Sequence, residues 1–541
     1  MLLGSTVSPE FYLSRTKLSV NHWTSLWLRA RVDKSRMDEQ RSLLVRRAEH
    51  NNALPVHRLP PELLSRIMAL CAAERLASWP ESVGELRWIA VTHVCRHWRT
   101  VALAHGGLWA GDVTFRRGVA WFHESVRRAC RVPLCIDTVD AEDEATFELV
   151  ATHLAATKEL RIGALAFDEP PRARRLLTAE LPAPLLDTLT VHGLFSACLP
   201  LSGLGSCAPN LRRVEVLTHC PDLPWTSGLL KNLTVLDVQS RRWQLEEEEL
   251  HWAAMDDVLA ALNRMPNLEK LRIVGLPPTG SATPGESIPL LRLTELTLNA
   301  AAVPCMTLLR RIVAPSCTTV RLSLSCDTAD EALAAFDVVA AWLKAHWHKP
   351  LREVKLMTAN CSSRILHAEA WGHGRIDNAA AILDFAWEEE VDTKFLKRMA
   401  VACYRALQTG LEELSMDLDC WDRAAWLDVV GGHMGLRRVV AIGAAADAFV
   451  DAFNADEGAP STKQDSFLPL LSSVDLPYTR FYNEQVTASP SNEMASTPLE
   501  PRYPSLQKIL AARAEAGCPA ATLSFSDAHV QFDHVLARSH G

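Results

Sequence analysis

The stretch PNLEKLRIVG, residues 266–275, carries the pattern that decides the fold. Three apolar residues in it, Leu268, Leu271 and Ile273, are spaced by three and then by two positions. Apolar residues at alternate positions are typical of a β-strand with one buried face. The pattern therefore predicts a short strand here, with polar residues on its other face.

The same pattern recurs along most of the chain. Over its first five copies it returns at intervals of 22 to 35 residues, and later at longer intervals. Besides the stretch quoted above, the clear copies are Leu186-Leu189-Val191, Leu211-Val214-Val216, Leu233-Leu236-Val238, Leu293-Leu296-Leu298, Leu351-Val354-Leu356, Leu411-Leu414-Met416 and Leu471-Val474-Leu476. Weaker copies are Leu160-Ile162, Val320-Leu322 and Leu436-Val439. A recurring unit of this length is the signature of a repeat architecture.

Helix-like segments separate the copies, namely residues 255–265, 329–344, 393–407 and 424–430. A short strand alternating with a helix at this period resembles an irregular leucine-rich-repeat array. That resemblance implies an α/β solenoid with a curved parallel sheet, in which neighbouring repeats stack and share one core. Residues 351–411 hold two extra apolar runs, at 365–366 and 382–385, which predict an additional hairpin.

The polar positions between the apolar ones are predicted to form the concave face of this sheet, because side chains alternate along a strand. Both signs of charge are mixed there, which suits a protein partner better than a polyanion. The alternative is a solvated sheet face with no ligand. The candidate target-binding residues are Arg213, Glu215, Asp237, Lys270, Arg272, Glu295, Glu353 and Lys355.

A different pattern occupies the stretches LPVHRLPPELLSRIMALC, residues 54–71, and IAVTHVCRHWRTVALAHGGLW, residues 89–109. In the first, Leu59, Leu63 and Ile67 recur at a spacing of four, which places them on one face of a helix. Pro60-Pro61 stands where the first helical turn tolerates proline. In the second, apolar residues from Val91 to Ala102 also follow helical spacing, and Gly106-Gly107 is a stop signal.

These two stretches resemble the F-box-like domains that are abundant in fungal proteins. The resemblance implies that this region docks on the Skp adaptor of a cullin-based ubiquitin ligase. The alternative from periodicity alone is an ordinary helical hairpin buried in a larger core. The expected adaptor-binding residues are Leu59, Pro60, Pro61, Leu63, Ile67, Val94, Cys95, Trp98, Leu108 and Trp109.

The predicted organisation has three parts: a poorly ordered extension at residues 1–36, an F-box domain with a leading helix at 37–112, and the repeat domain at 113–541. The resemblance implies a substrate-recognition subunit of a Skp–cullin–F-box (SCF) ubiquitin ligase. Such a subunit holds a target protein, here unidentified, near a conjugating enzyme that carries ubiquitin. Such a subunit is not itself an enzyme. The alternative is a leucine-rich-repeat interaction scaffold without a ligase.

Composition and the absence of known motifs argue against several other classes of function. A net charge of −8 argues against nucleic acid as the main partner. The longest charge-free run contains prolines and glycines, so no transmembrane helix is predicted. No phosphate-binding loop, dinucleotide motif or nucleophile elbow occurs. We therefore expect no cofactor and no metal, since the histidines around His346 and His367 match no standard zinc spacing. Fourteen scattered cysteines and no secretory signal predict an intracellular protein, cytoplasmic or nuclear.

Overall fold

The computed structural model divides the chain into two compact units, Met1–Ile136 and Asp137–Gly541. It describes most of the chain between residues 37 and 476 and a few residues near the C-terminus. The described ranges are 37–47, 49–51, 53–76, 87–138, 144–164, 181–193, 207–218, 223, 225–240, 253–275, 285–347, 351–358, 365–372, 380–387, 393–454, 467–476, 518–519 and 521–524. The predicted extension at 1–36 lies outside these ranges. So do residues 455–464 and 486–502, whose polar and proline-rich composition predicts exposed loops, and residues 506–514, which are predicted to form a helix.

The first unit is mainly helical. Its α-helices are α1 (37–47), α2 (Pro61–Leu76), α3 (Arg96–Ala104), α4 (Gly106–Ala110) and α5 (Val119–Ala129). Two 3-10 helices, Pro55–Arg58 and Arg87–His93, precede α2 and α3, and two short strands follow α4: β1 (Val113–Thr114) and β2 (Leu134–Asp137). Helix α2 packs against α3, α4 and the second 3-10 helix, which forms the core of this unit.

Two predictions for this unit need correction. The helix predicted from Val91 to Ala102 is interrupted, because Cys95 adopts an extended conformation and caps α3: its sulfur accepts a hydrogen bond from the Trp98 amide at 3.5 Å. The unit also extends past the predicted boundary at residue 112. The rings of Phe115 and Phe122 stack with their centroids 4.5 Å apart, so residues after 112 contribute to its core.

The second unit is built on one large sheet. Its strands are β3 (Thr157–Ala164), β4 (Thr188–Gly193), β5 (Arg213–Thr218), β6 (Val235–Ser240), β7 (Lys270–Val274), β9 (Glu295–Ala301), β11 (Thr319–Cys326), β12 (Leu351–Thr358), β13 (Ile365–Gly372), β14 (Ala381–Trp387), β15 (Glu413–Asp417), β16 (Arg438–Ala441), β17 (Ser473–Asp475) and β18 (Thr522–Ser524). A separate parallel pair joins β8 (Ile288–Pro289) to β10 (Ile312–Val313). Within this unit the sheet order is β3-β4-β5-β6-β7-β9-β11-β14-β13-β12-β15-β16-β17-β18. The α/β class and the mostly parallel sheet are confirmed.

One antiparallel insertion interrupts the parallel order. Strand β13 pairs antiparallel with both β12 and β14, and β14 then pairs parallel with β11. The extra hairpin predicted between residues 351 and 411 is therefore confirmed. It places β13 as the single antiparallel strand among the described strands of this sheet.

The register of the parallel strands explains the sequence repeat. The central apolar residue of each copy pairs with the central residue of the next copy, and each of these side chains is buried. The ladder on the first half of the sheet is Leu160, Leu189, Val214, Leu236, Leu271, Leu296 and Val320. A short strand with only two or three buried residues cannot stabilise itself, so stacking on its neighbours supplies the core.

Two hydrogen-bond patterns recur with the repeats, one inside each turn and one between neighbouring repeats. In seven copies the amide of the first leucine closes a turn onto the carbonyl three residues earlier, as Leu268 does onto Met265 at 3.1 Å. A serine or threonine at the start of a strand also donates its hydroxyl proton to a carbonyl of the preceding repeat. These donors are Thr234, Thr294, Thr318, Ser472 and Thr522. Each such bond contributes about 1 kcal/mol.

Helices connect many of these strands. They are α6 (Glu144–His153), α7 (Met255–Asn263), α8 (Ala302–Arg311), α9 (Ala329–His346), α10 (Thr393–Leu407) and α11 (Ala444–Asn454). Residues 423–430 form a short helical segment that ends in a π-helical turn. All four helices predicted between the repeats are therefore confirmed. Among the described residues, no helix is both long and apolar enough to cross a bilayer.

The apolar ladder makes a stability prediction. We expect Leu236→Ala to lower the free energy of unfolding by about 3 kcal/mol, because its side chain is fully buried and truncation leaves a cavity. The matched control is Leu291→Ala, which makes the same chemical change at a side chain that is 58 % exposed and should change stability by under about 1 kcal/mol. Urea denaturation followed by circular dichroism measures both. Equal losses of unfolding free energy in the two variants would contradict the placement of Leu236 in a buried ladder.

Candidate functional site

Helix α2 divides its apolar residues between two faces. Leu64 and Met68 are 0 % and 1 % exposed and belong to the core of the first unit. Leu63, Ile67 and Leu70 are 50 %, 43 % and 63 % exposed. Their spacing of four and three residues places the exposed three on one face. We call Leu63, Ile67 and Leu70 the apolar ridge.

Local sequence explains how the ridge is presented. The helix begins at Pro61, where the proline ring fixes the backbone for the first turn. Its missing N–H costs no hydrogen bond, because amides of the first turn have no acceptor within the helix. The Glu62 carboxylate follows in the first turn, where it interacts favourably with the helix dipole. The burial of Leu64 and Met68 then fixes the rotation of the helix about its axis. Because this rotation is fixed, the ridge faces outward.

The other residues of the expected docking set fall into three groups, of which the third, Leu108 and Trp109, is buried. Pro60, Pro61 and Val94 are exposed, and Leu59 is partly exposed. Cys95 and Trp98 are half-buried, and they are joined by the helix-capping hydrogen bond described above. Cys95 therefore has a structural role at the start of α3, while Leu59, Pro60, Pro61 and Val94 have surface to offer a partner.

Leu108 and Trp109 do not belong to a docking surface, which corrects the sequence expectation. Both side chains are 4 % exposed. The Trp109 indole donates a hydrogen bond to the carbonyl of Ala102 at 3.0 Å, and the Arg128 guanidinium lies 4.9 Å from the centre of its ring. These contacts satisfy the polar edge and cover the face of the indole. The pair therefore stabilises the first unit from inside.

The predicted target-binding residues lie together on the polar face of the large sheet. Most of their charges are paired with one another. Lys270 Nζ lies 2.6 Å from Glu295 Oε1, and the Arg213–Glu215 and Arg272–Asp237 pairs are separated by 3.4 and 3.9 Å. Exposed pairs of this kind contribute little to stability, typically under about 1 kcal/mol. Their effect here is to leave this face close to neutral.

The same pairing continues on the far side of the antiparallel insertion. Arg352 contacts Glu413 at 2.8 Å, and Arg438 contacts Asp475 at 2.5 Å. Burial raises the pKa of Glu353, and the neighbouring Glu413 carboxylate adds to that rise. Burial likewise raises the pKa of Asp237, against the opposing charge of Arg272. The face therefore combines both signs of charge with partly buried carboxylates.

On the same face of the sheet, the antiparallel strand β13 carries a histidine that lies between two carboxylates. His367 Nδ1 contacts Asp384, and its Nε2 lies 3.2 Å from Glu369 Oε1. Burial lowers the pKa of the imidazole, but the hydrogen bonds and charges of the two carboxylates outweigh it and raise the pKa of His367 to about 9. An imidazole with this pKa is protonated at neutral pH. It is therefore a fixed cation and not a general base.

The sequence missed this cluster because its members come from different strands. Strands β13 and β14 place His367 directly opposite Asp384. Neither this cluster nor any other group of His, Cys, Asp and Glu in the described ranges has the geometry of a metal site. Burial raises the pKa of the Cys305 and Cys326 thiols to about 12, so neither is a nucleophile at neutral pH.

Comparison with known proteins adds no family. A scan against protein-family models finds no match, and a search of curated proteins finds none either. The functional argument therefore depends on the residues themselves: the apolar ridge, the paired polar face and the surfaces around them.

The His367 cluster predicts a pH-dependent contribution to stability. Its folded pKa of about 9 lies above the ordinary value of 6.5, so the folded state holds this proton more tightly than the unfolded chain. The stabilisation is complete below about pH 6.5 and is lost as the pH rises toward 9. We expect the stability difference between the natural chain and His367→Gln to shrink by roughly 2 kcal/mol over that interval. Denaturation of both chains between pH 6 and 10 measures it, and a pH-independent difference would contradict the assignment.

Proposed function

We propose that this protein is a substrate-recognition subunit of an SCF ubiquitin ligase. In this proposal the first unit docks on the Skp adaptor, and the repeat-like second unit binds the target protein. The apolar ridge is the observation that carries the proposal. It lies on α2, the helix that directly follows Leu59-Pro60 and begins at Pro61, and the resemblance to an F-box depends in part on this motif.

The ridge has the chemistry of a protein-docking surface. Three neighbouring apolar side chains remain about half exposed although the same helix buries two others fully. An ordinary hairpin inside a larger core would be expected to bury both faces of such a helix. A helix that leaves one apolar face in water is a typical site of partner binding. This observation favours docking over an internal packing role.

The free energy gained by burying the apolar ridge alone is too small for a stable complex, so neighbouring residues must also contribute to binding. Burying a leucine or isoleucine completely contributes about 1.5–3 kcal/mol. Three side chains that are already half buried would supply roughly 3–4 kcal/mol, less than the 8 kcal/mol of a micromolar complex. Val94, Pro60 and the accessible part of Leu59 are the apolar residues that could supply the rest.

The proposed mechanism is proximity, and it requires no catalytic residue in this chain. Holding a target near a ubiquitin-charged conjugating enzyme raises the effective concentration of a target lysine. In this proposal, other subunits carry out the chemical step of ubiquitin transfer. This division of labour is compatible with the buried thiols and the protonated His367, neither of which can act as a nucleophile or base at neutral pH.

A co-purification experiment tests the docking step. We expect Leu63→Lys combined with Ile67→Lys to abolish co-purification of the Skp adaptor, because two charges would have to be desolvated in an apolar interface. Both side chains are exposed, so the fold should persist, with an unchanged circular dichroism spectrum and melting temperature.

The matched control places lysines at two other exposed apolar residues, Leu291 and Val303. This control should retain the adaptor. Retention by the ridge variant would refute docking through α2. If the natural chain itself fails to co-purify the adaptor, the rival function is favoured, which is a repeat scaffold that binds proteins without a ligase.

A further inference from the structure

A long groove lies between α9 and α10 in the second unit. Its volume is about 1250 Å³. Along α9 it extends from Leu333 to Lys344 and along α10 from Lys394 to Leu407. At a rise of 1.5 Å per residue each wall is about 20 Å long, the length of a helix of three to four turns.

The rim of the groove is strongly cationic. Lys344, Lys394, Lys397, Arg398 and Arg405 line it, against one acid, Asp337. Lys397 is paired with Asp422 at 2.6 Å. Within the part of the chain that the structure describes, the other four cations have no ion-pair partner. In a chain of net charge −8, this excess of unpaired positive charge contrasts with the self-paired polar face of the sheet.

Residue spacing explains why the cations converge. On α10, Lys394, Arg398, Val401 and Arg405 are separated by four, three and four positions, which places them on one helical face. On α9, Ala340, Ala341 and Lys344 occupy one face in the same way. The two faces meet across the groove, so positive charge from separate helices is concentrated on one surface.

The floor of the groove is apolar. Its larger side chains are Leu333, Leu343, Trp347, Leu351 and Leu407, and the others are small. The small side chains include Ala340, Ala341, Val401, Ala402 and Ala406. Small residues allow the backbone of a bound segment to approach closely. A cationic rim around an apolar floor matches an amphipathic helix that presents small apolar residues inward and carboxylates at its edges.

We propose that this groove binds an acidic amphipathic helix of a partner protein. The floor favours this partner over nucleic acid, because phosphate contacts need positive charge but no 20 Å apolar strip. The net negative charge of the whole chain also disfavours a polyanion that extends beyond the groove. The site is separate from the apolar ridge, so the inference does not depend on adaptor docking.

Fluorescence anisotropy with the full-length chain tests the proposal. The probe is a labelled, N-acetylated 16-residue helix of leucine, alanine and glutamate with its apolar residues in one stripe. We expect saturable binding that weakens at least tenfold with Arg398→Glu combined with Arg405→Glu, and also with Ala402→Trp, which fills the floor without changing charge. The matched control, Arg292→Glu with Arg437→Glu, makes the same charge change outside the groove and should bind within twofold of the natural chain.

Three results would overturn the proposal. One is the absence of saturable binding to the acidic helix. Another is an equal loss in the groove variants and in the matched control, which would indicate non-specific attraction. The third is that a peptide with lysine at every glutamate position, or a 16-nucleotide oligothymidine, binds as tightly as the acidic helix. Melting temperatures of all variants exclude unfolding, and adaptor co-purification, which uses the ridge, should remain unchanged in each.

Discussion

The second unit depends on one constraint: no single repeat can bury its own apolar residues. Each strand contributes two or three buried side chains, and these become a core only when the next strand places its own at the same height. Parallel pairing achieves this because Leu236 lies beside Leu271 in register, and Leu271 lies beside Leu296. A shift of one residue would expose the whole set and bury the charges between them. The spacing of apolar residues in each sequence repeat therefore follows from the register of the parallel strands.

That constraint also determines where charge can be placed. Polar side chains on the sheet must lie side by side at the strand spacing, so opposite charges on neighbouring strands pair, as Lys270 and Glu295 do. Helices also bring side chains three and four residues apart together, as Glu124 meets Arg127 and Arg128, but along α10 Lys394, Arg398 and Arg405 have no carboxylate at these spacings among the described residues. Of the cations in the groove, Lys397 alone is paired within the described part of the chain, while the sheet face of the same unit is close to neutral. We infer that the helical side, more than the sheet face, presents the distinctive electrostatic feature of this unit.

Much of this fold was predictable from local sequence. Spacing of apolar residues predicted the strands around Leu189, Leu271 and Leu414, the helices between them and the hairpin near Leu383. Two features were not predictable because they depend on residues distant in the chain. His367 and Asp384 meet only after β13 inserts against β14, and Arg398 faces Lys344 only after two helices pack. The threonine and serine hydroxyls between repeats were also missed, since nothing in a single repeat marks a hydroxyl that donates to the preceding one.

Helix α2 shows the limit of periodicity most directly. Its sequence offers two adjacent apolar stripes, one through Leu63 and Ile67 and the other through Leu64 and Met68, and spacing alone treats them alike. Burial distinguishes them: the second stripe packs inside the first unit and the first stripe stays half exposed. The same test separates Trp109, which resembles a docking residue in sequence but has its indole nitrogen bonded to Ala102 and its ring covered by Arg128. An apolar residue supports partner binding only when its own domain leaves it uncovered, and on α2 that condition is met by the ridge.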